Sequence, residues 1–188
     1  MDITEGSYGG RFGKDGLDCV DTLYANTRNN PIEDIESHYP LRVQRYEMRE
    51  DAGGAGTWRG GAGSIREVMF LSPGHASVEG DGHRHAPWGL FGGKEGSCGD
   101  LVLNPQSDVR KLPSMISNLS LHGGDTLRTV SPCGGGYGDP LKRDPIAVLS
   151  DVLDGFVSRE TALREYKVVI TDQIKIDEKA TDEIRRRG

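Results

Sequence analysis

Paired cysteines, long apolar runs and an excess of basic residues are all missing from this 188-residue sequence. Its three cysteines, Cys19, Cys98 and Cys133, are odd in number and far apart, and none belongs to a C-x-x-C pair. That excludes a disulfide framework and a thiolate zinc site, and it fits a reducing cytosol. No stretch approaches membrane-spanning length, and Met1 to Gly6 lacks a basic segment followed by an apolar one. The expectation is therefore a cytoplasmic chain, neither exported nor embedded in a membrane. The 23 basic and 29 acidic residues leave a net charge of −6, which argues against a nucleic-acid platform. Only 35% of the residues are hydrophobic and 6% aromatic. A chain so poor in apolar residues is expected to lean on partner subunits for part of its burial.

Nucleotide motifs are absent too. Walker A needs G-x-x-x-x-G-K-[ST], yet Trp88 holds the first glycine position before Gly93-Lys94, and Glu95 follows the lysine. The dinucleotide pattern G-x-G-x-x-G fails at Gly54-Ala55-Gly56-Thr57-Trp58-Arg59-Gly60, which has one residue too many and no long helix pattern after it.

What the sequence does have is glycine, 27 residues of it, concentrated in three blocks. These are Gly53 to Gly63, Pro87 to Gly93, and Pro132 to Pro140. A flexible linker would mix glycine with serine, whereas these blocks hold tryptophan, arginine, tyrosine and proline at fixed places between apolar runs. Glycine here is expected to shape the backbone and let another segment come close. Gly134 to Pro140 reads as a structural junction and not a phosphate cradle, because Pro140 removes a donor and Asp139 adds a negative charge where an anion would sit.

Residues 1 to 29 read as a polar, glycine-rich loop region. Asn30, Pro31 and Glu33 have the spacing of a capped helix start, with Ile32 and Ile35 facing inward. From residue 41 to 130 the signal is strand: Leu41 to Val43, Ile65 to Leu71, Leu101 to Leu103 and Leu119 to Leu121 are short runs between glycine and proline turns. Asp144-Pro145 then opens a helix with Ile146, Leu149, Val152 and Leu153 on one face and Gly155 at its end. Ser158 caps a second helix with Ala162, Leu163 and Tyr166 inward. Lys167 to Ile176 reads as a strand or paired strands, and Asp177 to Arg187 as a polar helix. The expected fold class is α+β: a mainly antiparallel β body in residues 1–140 and a helical C-terminal segment in residues 141–188.

The most site-like segment is Asp81-Gly82-His83-Arg84-His85-Ala86-Pro87-Trp88. In a strand, Asp81, His83 and His85 would share one face, converging as proton-transfer groups or metal ligands. The same three residues equally fit a solvated strand face or a surface loop. Asp81, His83 and His85 are the candidate catalytic residues, and Arg84 and Trp88 the candidate substrate contacts. His38, His75 and His122 stand alone, and Cys133 among glycines reads as a packing residue.

Several of these blocks, in this order, resemble the hydantoinase B/oxoprolinase family: Asn26 to Glu33, Glu36 to Val43, Tyr46 to Arg49, the glycine block at Gly53, Pro87 to Gly93, Leu112-Pro113-Ser114 and Gly134 to Pro140. The resemblance covers about residues 5 to 170 and corresponds to the C-terminal portion of a B-type subunit. It is similar to the B-type component of ATP-dependent N-methylhydantoinase, the second half of 5-oxoprolinase, and subunits of acetone and acetophenone carboxylases.

The resemblance implies a two-part machine. An A-type ATPase partner of the sugar-kinase/actin-like class phosphorylates an amide or enolate oxygen, and the B-type part completes hydrolysis of a cyclic amide or, in the alternative, carboxylation of a ketone. Phosphorylation turns a poor oxygen leaving group into a good one. ATP and a divalent metal are implied for the complex and not for this chain, because the family's metal-binding region has no counterpart here. The implied partners are the A-type ATPase, the missing B-type N-terminal region and a small-molecule substrate, without nucleic acid or membrane. A chain of this extent, isolated, is expected to be inactive. A non-catalytic assembly module of such a complex is the remaining alternative.

Overall fold

The computed structural model of the chain describes residues 3–21 and 27–187; Met1, Asp2, Asn26 of the family-like motif and Gly188 lie outside them. The architecture is α+β, with antiparallel sheet followed by helices at the C-terminal end. A five-stranded antiparallel sheet runs in the order β1 (Leu41–Met48), β2 (Ser64–Phe70), β7 (Thr126–Val130), β4 (Asp100–Leu103), β5 (Arg110–Lys111). A separate two-stranded ribbon pairs β3 (Gly74–Glu79) with β6 (Met115–Leu121). Interior strand β2 sets Val68 opposite Val43 on one side and Leu127 on the other, a β-branched and aliphatic row of the kind a half-buried pleat favours.

Helix α1 (Ile32–His38) precedes the sheet, with Ile32 and Ile35 half-buried and the rest of it exposed. Its start differs from the expectation. Pro31, extended at ψ 142°, occupies the cap position, and no side chain caps the helix. The proline stands one place ahead of where a capping box needs it, so Asn30 falls outside the turn.

The three glycine blocks lie against one another and against the N-terminal arm. Gly54 donates its N–H to Gly134 O at 2.9 Å, Gly134 to Gly61 O at 3.0 Å, Gly136 to Lys94 O at 2.8 Å and Gly10 to Gly135 O at 2.8 Å. A Cβ at Gly60 would overlap the Gly134 carbonyl, and one at Gly135 the Trp88 carbonyl. These residues are glycine because main chain touches main chain there. Their amides are already satisfied by backbone oxygens, which leaves no anion cradle at Gly134, Gly136, Tyr137 or Gly138.

After a short 3₁₀ turn (Pro140–Lys142) come α2 (Pro145–Leu153), α3 (Arg159–Tyr166) and α4 (Glu178–Arg187). Asp144 caps α2 through the Ile146 N–H at 2.9 Å, and Ser158 caps α3 through the Thr161 N–H at 3.1 Å. The inward faces match the expectation in part: Leu149 and Val152 of α2 and Ala162 and Tyr166 of α3 pack into the core. Ile146 and Leu153 of α2 are solvent-facing and Val148 and Asp151 are buried; on α3, Leu163 is exposed and Thr161 is buried beside Ala162 and Tyr166. Asp151 turns inward to its ion partners Arg59 and Arg143. Residues 167–176 form a turn closed by one bridge, Ile170 to Ile176, and not paired strands. Val148, Val157, Ala162, Tyr166, Val168 and Ile170 pack into one cluster that reaches Ala55 of the first glycine block.

Candidate functional site

Between the ribbon and the five-stranded sheet lies a cleft of about 660 Å³, ample for a small organic molecule. Leu41, Val68, Phe70, Leu101 and Leu127 supply an apolar floor, and Ala76 and Val78 of β3 line the opposite wall. The pleat explains this lining, since alternate residues of β3 are half-buried and the intervening ones exposed. Glu79, Asp81, His83 and Asp100 bring polar groups to the same cleft.

The candidate segment is not a strand. β3 stops at Glu79, and residues 82–85 form a bend with Gly82 at φ +68° over the Pro132 ring. The expected common face of Asp81, His83 and His85 is therefore not built, because a left-handed glycine breaks the alternation. The bend brings Asp81 and His83 to the cleft and leaves Arg84, His85 and Trp88 outside its lining. His83 is the positioned member. Its imidazole is half-buried between two glycines: a Cβ at Gly80 would stand 2.9 Å from Nε2, and one at Gly99 2.8 Å from Cδ2. The Gly99 N–H also donates to Gly82 O at 3.0 Å, fixing the bend to the segment before β4. Asp81 is exposed and accepts the Gly82 N–H at 3.0 Å. An imidazole held this way in the lining of an apolar cleft is placed to hydrogen-bond, or pass a proton to, a molecule bound there.

A smaller cavity of about 310 Å³ opens beside Glu5, Cys19, Arg28, Asn29 and Tyr46. Glu5 is buried and accepts from the Tyr46 hydroxyl at 3.2 Å and from Asn29 Nδ2 at 3.3 Å. Burial, with the Glu5 charge, raises the Tyr46 phenol, and burial pushes the Cys19 thiol up to about 11, assisted by the charge of Asp18. Both groups thus stay protonated at neutral pH, and Cys19 does not act as a thiolate there. Among the described residues no three His, Cys, Asp or Glu side chains gather as a metal's ligand set. Those described residues do not by themselves fit a divalent metal centre.

Sequence reasoning missed a buried charge network at the seam between glycine blocks and helices. Arg59 reaches Asp18 at 2.8 Å and Asp151 at 3.1 Å, and its guanidinium lies 3.9 Å from the centre of the Phe156 ring. Arg143 reaches Asp15 at 2.7 Å and Asp151 at 2.8 Å. Burial raises the Asp151 carboxyl, while Arg143 and Arg59 pull it the other way. One signal was legible: a lone arginine inside a glycine block, with nothing apolar to serve. Its partners, 41 to 92 residues away, were not.

Comparison with known proteins decides the family. A profile of the family described as hydantoinase B/oxoprolinase matches residues 1–140. The chain belongs to the hydantoinase B/oxoprolinase family. It is 60% identical, over 99% of its length, to a protein of Pseudomonas sp. (strain NS671) named as the B component of a putative D-/L-hydantoinase, of which it covers 32%. Among solved structures, the ATP-dependent caprolactamase of Pseudomonas jessenii matches at TM-score 0.84 and 31% identity, over 96% of this chain and 32% of the other. A nucleotide-free acetone carboxylase matches at TM-score 0.82 and 21% identity, covering 98% of this chain and 29% of the other, and shows a common fold. The chain thus spans about a third of the length of these relatives. Among the described residues, no helix is long and apolar enough to cross a membrane.

Proposed function

We propose that this chain is part of the B-type subunit of an ATP-dependent complex that opens a cyclic amide through a phosphorylated intermediate. The observation that carries this reading is the 60% identity, along nearly the whole chain, to a protein named as the B component of a hydantoinase. The ATP-dependent caprolactamase, also named for a cyclic amide, supports the same substrate class. The likeness to acetone carboxylase is one of fold, so the cyclic amide is favoured over a ketone. In this reading residues 1–140 and 141–188 are two parts of one cytoplasmic body. An A-type partner holds ATP and phosphorylates the amide oxygen, the rest of a B-type subunit completes the assembly, and the divalent metal is held outside this chain.

Within that assembly the cleft takes the apolar part of the substrate, and His83 with Asp81 handles a proton at its mouth. His85, Arg84 and Trp88 stand on the outer side of the bend, where a bound partner would bring them toward substrate. Positioned proton transfer contributes about 10²–10⁴-fold. His83→Ala in a reconstituted complex should therefore lower kcat by about that factor while subunits still co-purify. Unchanged turnover of hydantoin, caprolactam and 5-oxoproline by that variant would overturn the role of His83. Absence of ATP-dependent turnover of all three by the reconstituted wild-type complex would overturn the function.

A further inference from the structure

We infer that the aromatic face formed by Phe12, Trp58, Tyr137 and Phe91 is the surface on which the remaining two-thirds of a B-type subunit packs. The inference rests on the reading above that this chain is one third of such a subunit. Four rings follow one another across the glycine blocks: Phe12 to Trp58 at 5.0 Å, Trp58 to Tyr137 at 5.6 Å and Tyr137 to Phe91 at 5.0 Å between centres. Phe12 and Phe91 are each 78% exposed, and so is Trp88, two residues before Leu90, which bridges to Tyr137. A chain with 6% aromatics exposes one of its two tryptophans and two of its four phenylalanines here, with Trp58 and Tyr137 half-buried between Phe12 and Phe91. Scattered apolar residues on a surface are ordinary; a continuous row of rings marks an interaction site.

The row is also rigid. Trp58 and Tyr137 exchange backbone hydrogen bonds at 3.0 and 2.9 Å, and Gly138 donates to Leu90 O at 2.8 Å. Phe12 stands on a tight turn closed by Arg11 and Lys14, with Gly13 at φ +80°. Rings presented on a fixed backbone lose little freedom on docking, the property of an interface anchor. The occupant follows from proportion. The same body lies, at TM-score 0.84, inside a caprolactamase chain of which it is 32%, so two-thirds of that polypeptide must pack against something. A further copy of this chain would leave that requirement unmet.

The test is a chimera in which this chain replaces the matching third of the Pseudomonas sp. relative, compared with the chain alone by hydroxyl-radical footprinting. Oxidation of Phe12, Trp88 and Phe91 should fall about tenfold in the chimera, as for residues at a fully buried interface centre. The double change Phe12→Ser with Phe91→Ser should lower the melting temperature of the chimera by clearly more than that of the chain alone, which loses only its two internal ring pairs. A folded chimera whose three side chains oxidise as fast as in the isolated chain overturns the inference and leaves the proposed function standing. Concentration-dependent protection of the isolated chain, unaltered in the chimera, overturns it in favour of self-association. A chimera that fails to fold removes the underlying reading itself.

Discussion

In the glycine blocks the atoms that meet are main-chain atoms, held by N–H···O bonds between segments up to 125 residues apart, such as Gly10 to Gly135. In the helical segment the atoms that meet are side chains: Val148, Ala162, Tyr166 and Val168 are essentially inaccessible to water. The first region gains stability from hydrogen bonds and close approach, and the second from removing apolar area from water. The difference lies in tolerance. A side-chain core has volume to redistribute, whereas a backbone contact has none to give.

The largest expected effect comes from adding a single methyl group. Gly60→Ala would drive its Cβ into the Gly134 carbonyl, backbone against backbone, and should cost more than about 5 kcal/mol, the lower end of a domain's whole stability. Soluble folded yield is the measurement, and a variant that melts cooperatively near wild type would break the comparison. Next is removal of a whole ring from the other region. Tyr166→Ala should cost about 3–5 kcal/mol by denaturant unfolding and still fold, because neighbouring helices can close part of the cavity.

A smaller effect separates packing from backbone angle. Gly155 has φ +77° with open space where a Cβ would go, so Gly155→Ala should cost only about 1 kcal/mol, as αL strain without overlap. A loss as large as that at Gly60 would mean that conformation, and not contact, selects glycine throughout. The last effect is confined to alkaline pH. The folded Cys19 thiol lies at about 11, above its ordinary 9.0, so folding favours its protonated form. That contribution is complete below about pH 9 and is lost as pH rises toward 11. Cys19→Ala should flatten the fall in stability over that window, and an identical slope in the variant would contradict the shift.

The candidate site was legible in part. The titratable cluster at Asp81 to His85 stood out by composition, but its geometry depends on Gly82 at positive φ and on Pro132, fifty residues later, beneath it. No periodicity in the segment encodes that contact. The imidazole slot is made by Gly80 and Gly99, the second on an approach to a different strand. The helix faces were legible in part for a related reason. Apolar spacing rightly turned Leu149 and Val152 toward the core but also chose Ile146 and Leu153, which are exposed, and it gave no sign that Asp151 is buried with Arg59 and Arg143.

By itself the sequence determined the α+β class, the caps at Asp144 and Ser158, and the family. These depend on local residue order and turn chemistry, which a short segment carries whatever surrounds it. Tertiary structure alone decided which glycines touch, which helix face turns inward, which of the 81–88 side chains reach a cleft, and that four aromatic rings share one surface. Each of those is a meeting of distant segments, and chain separation erases it from any local pattern.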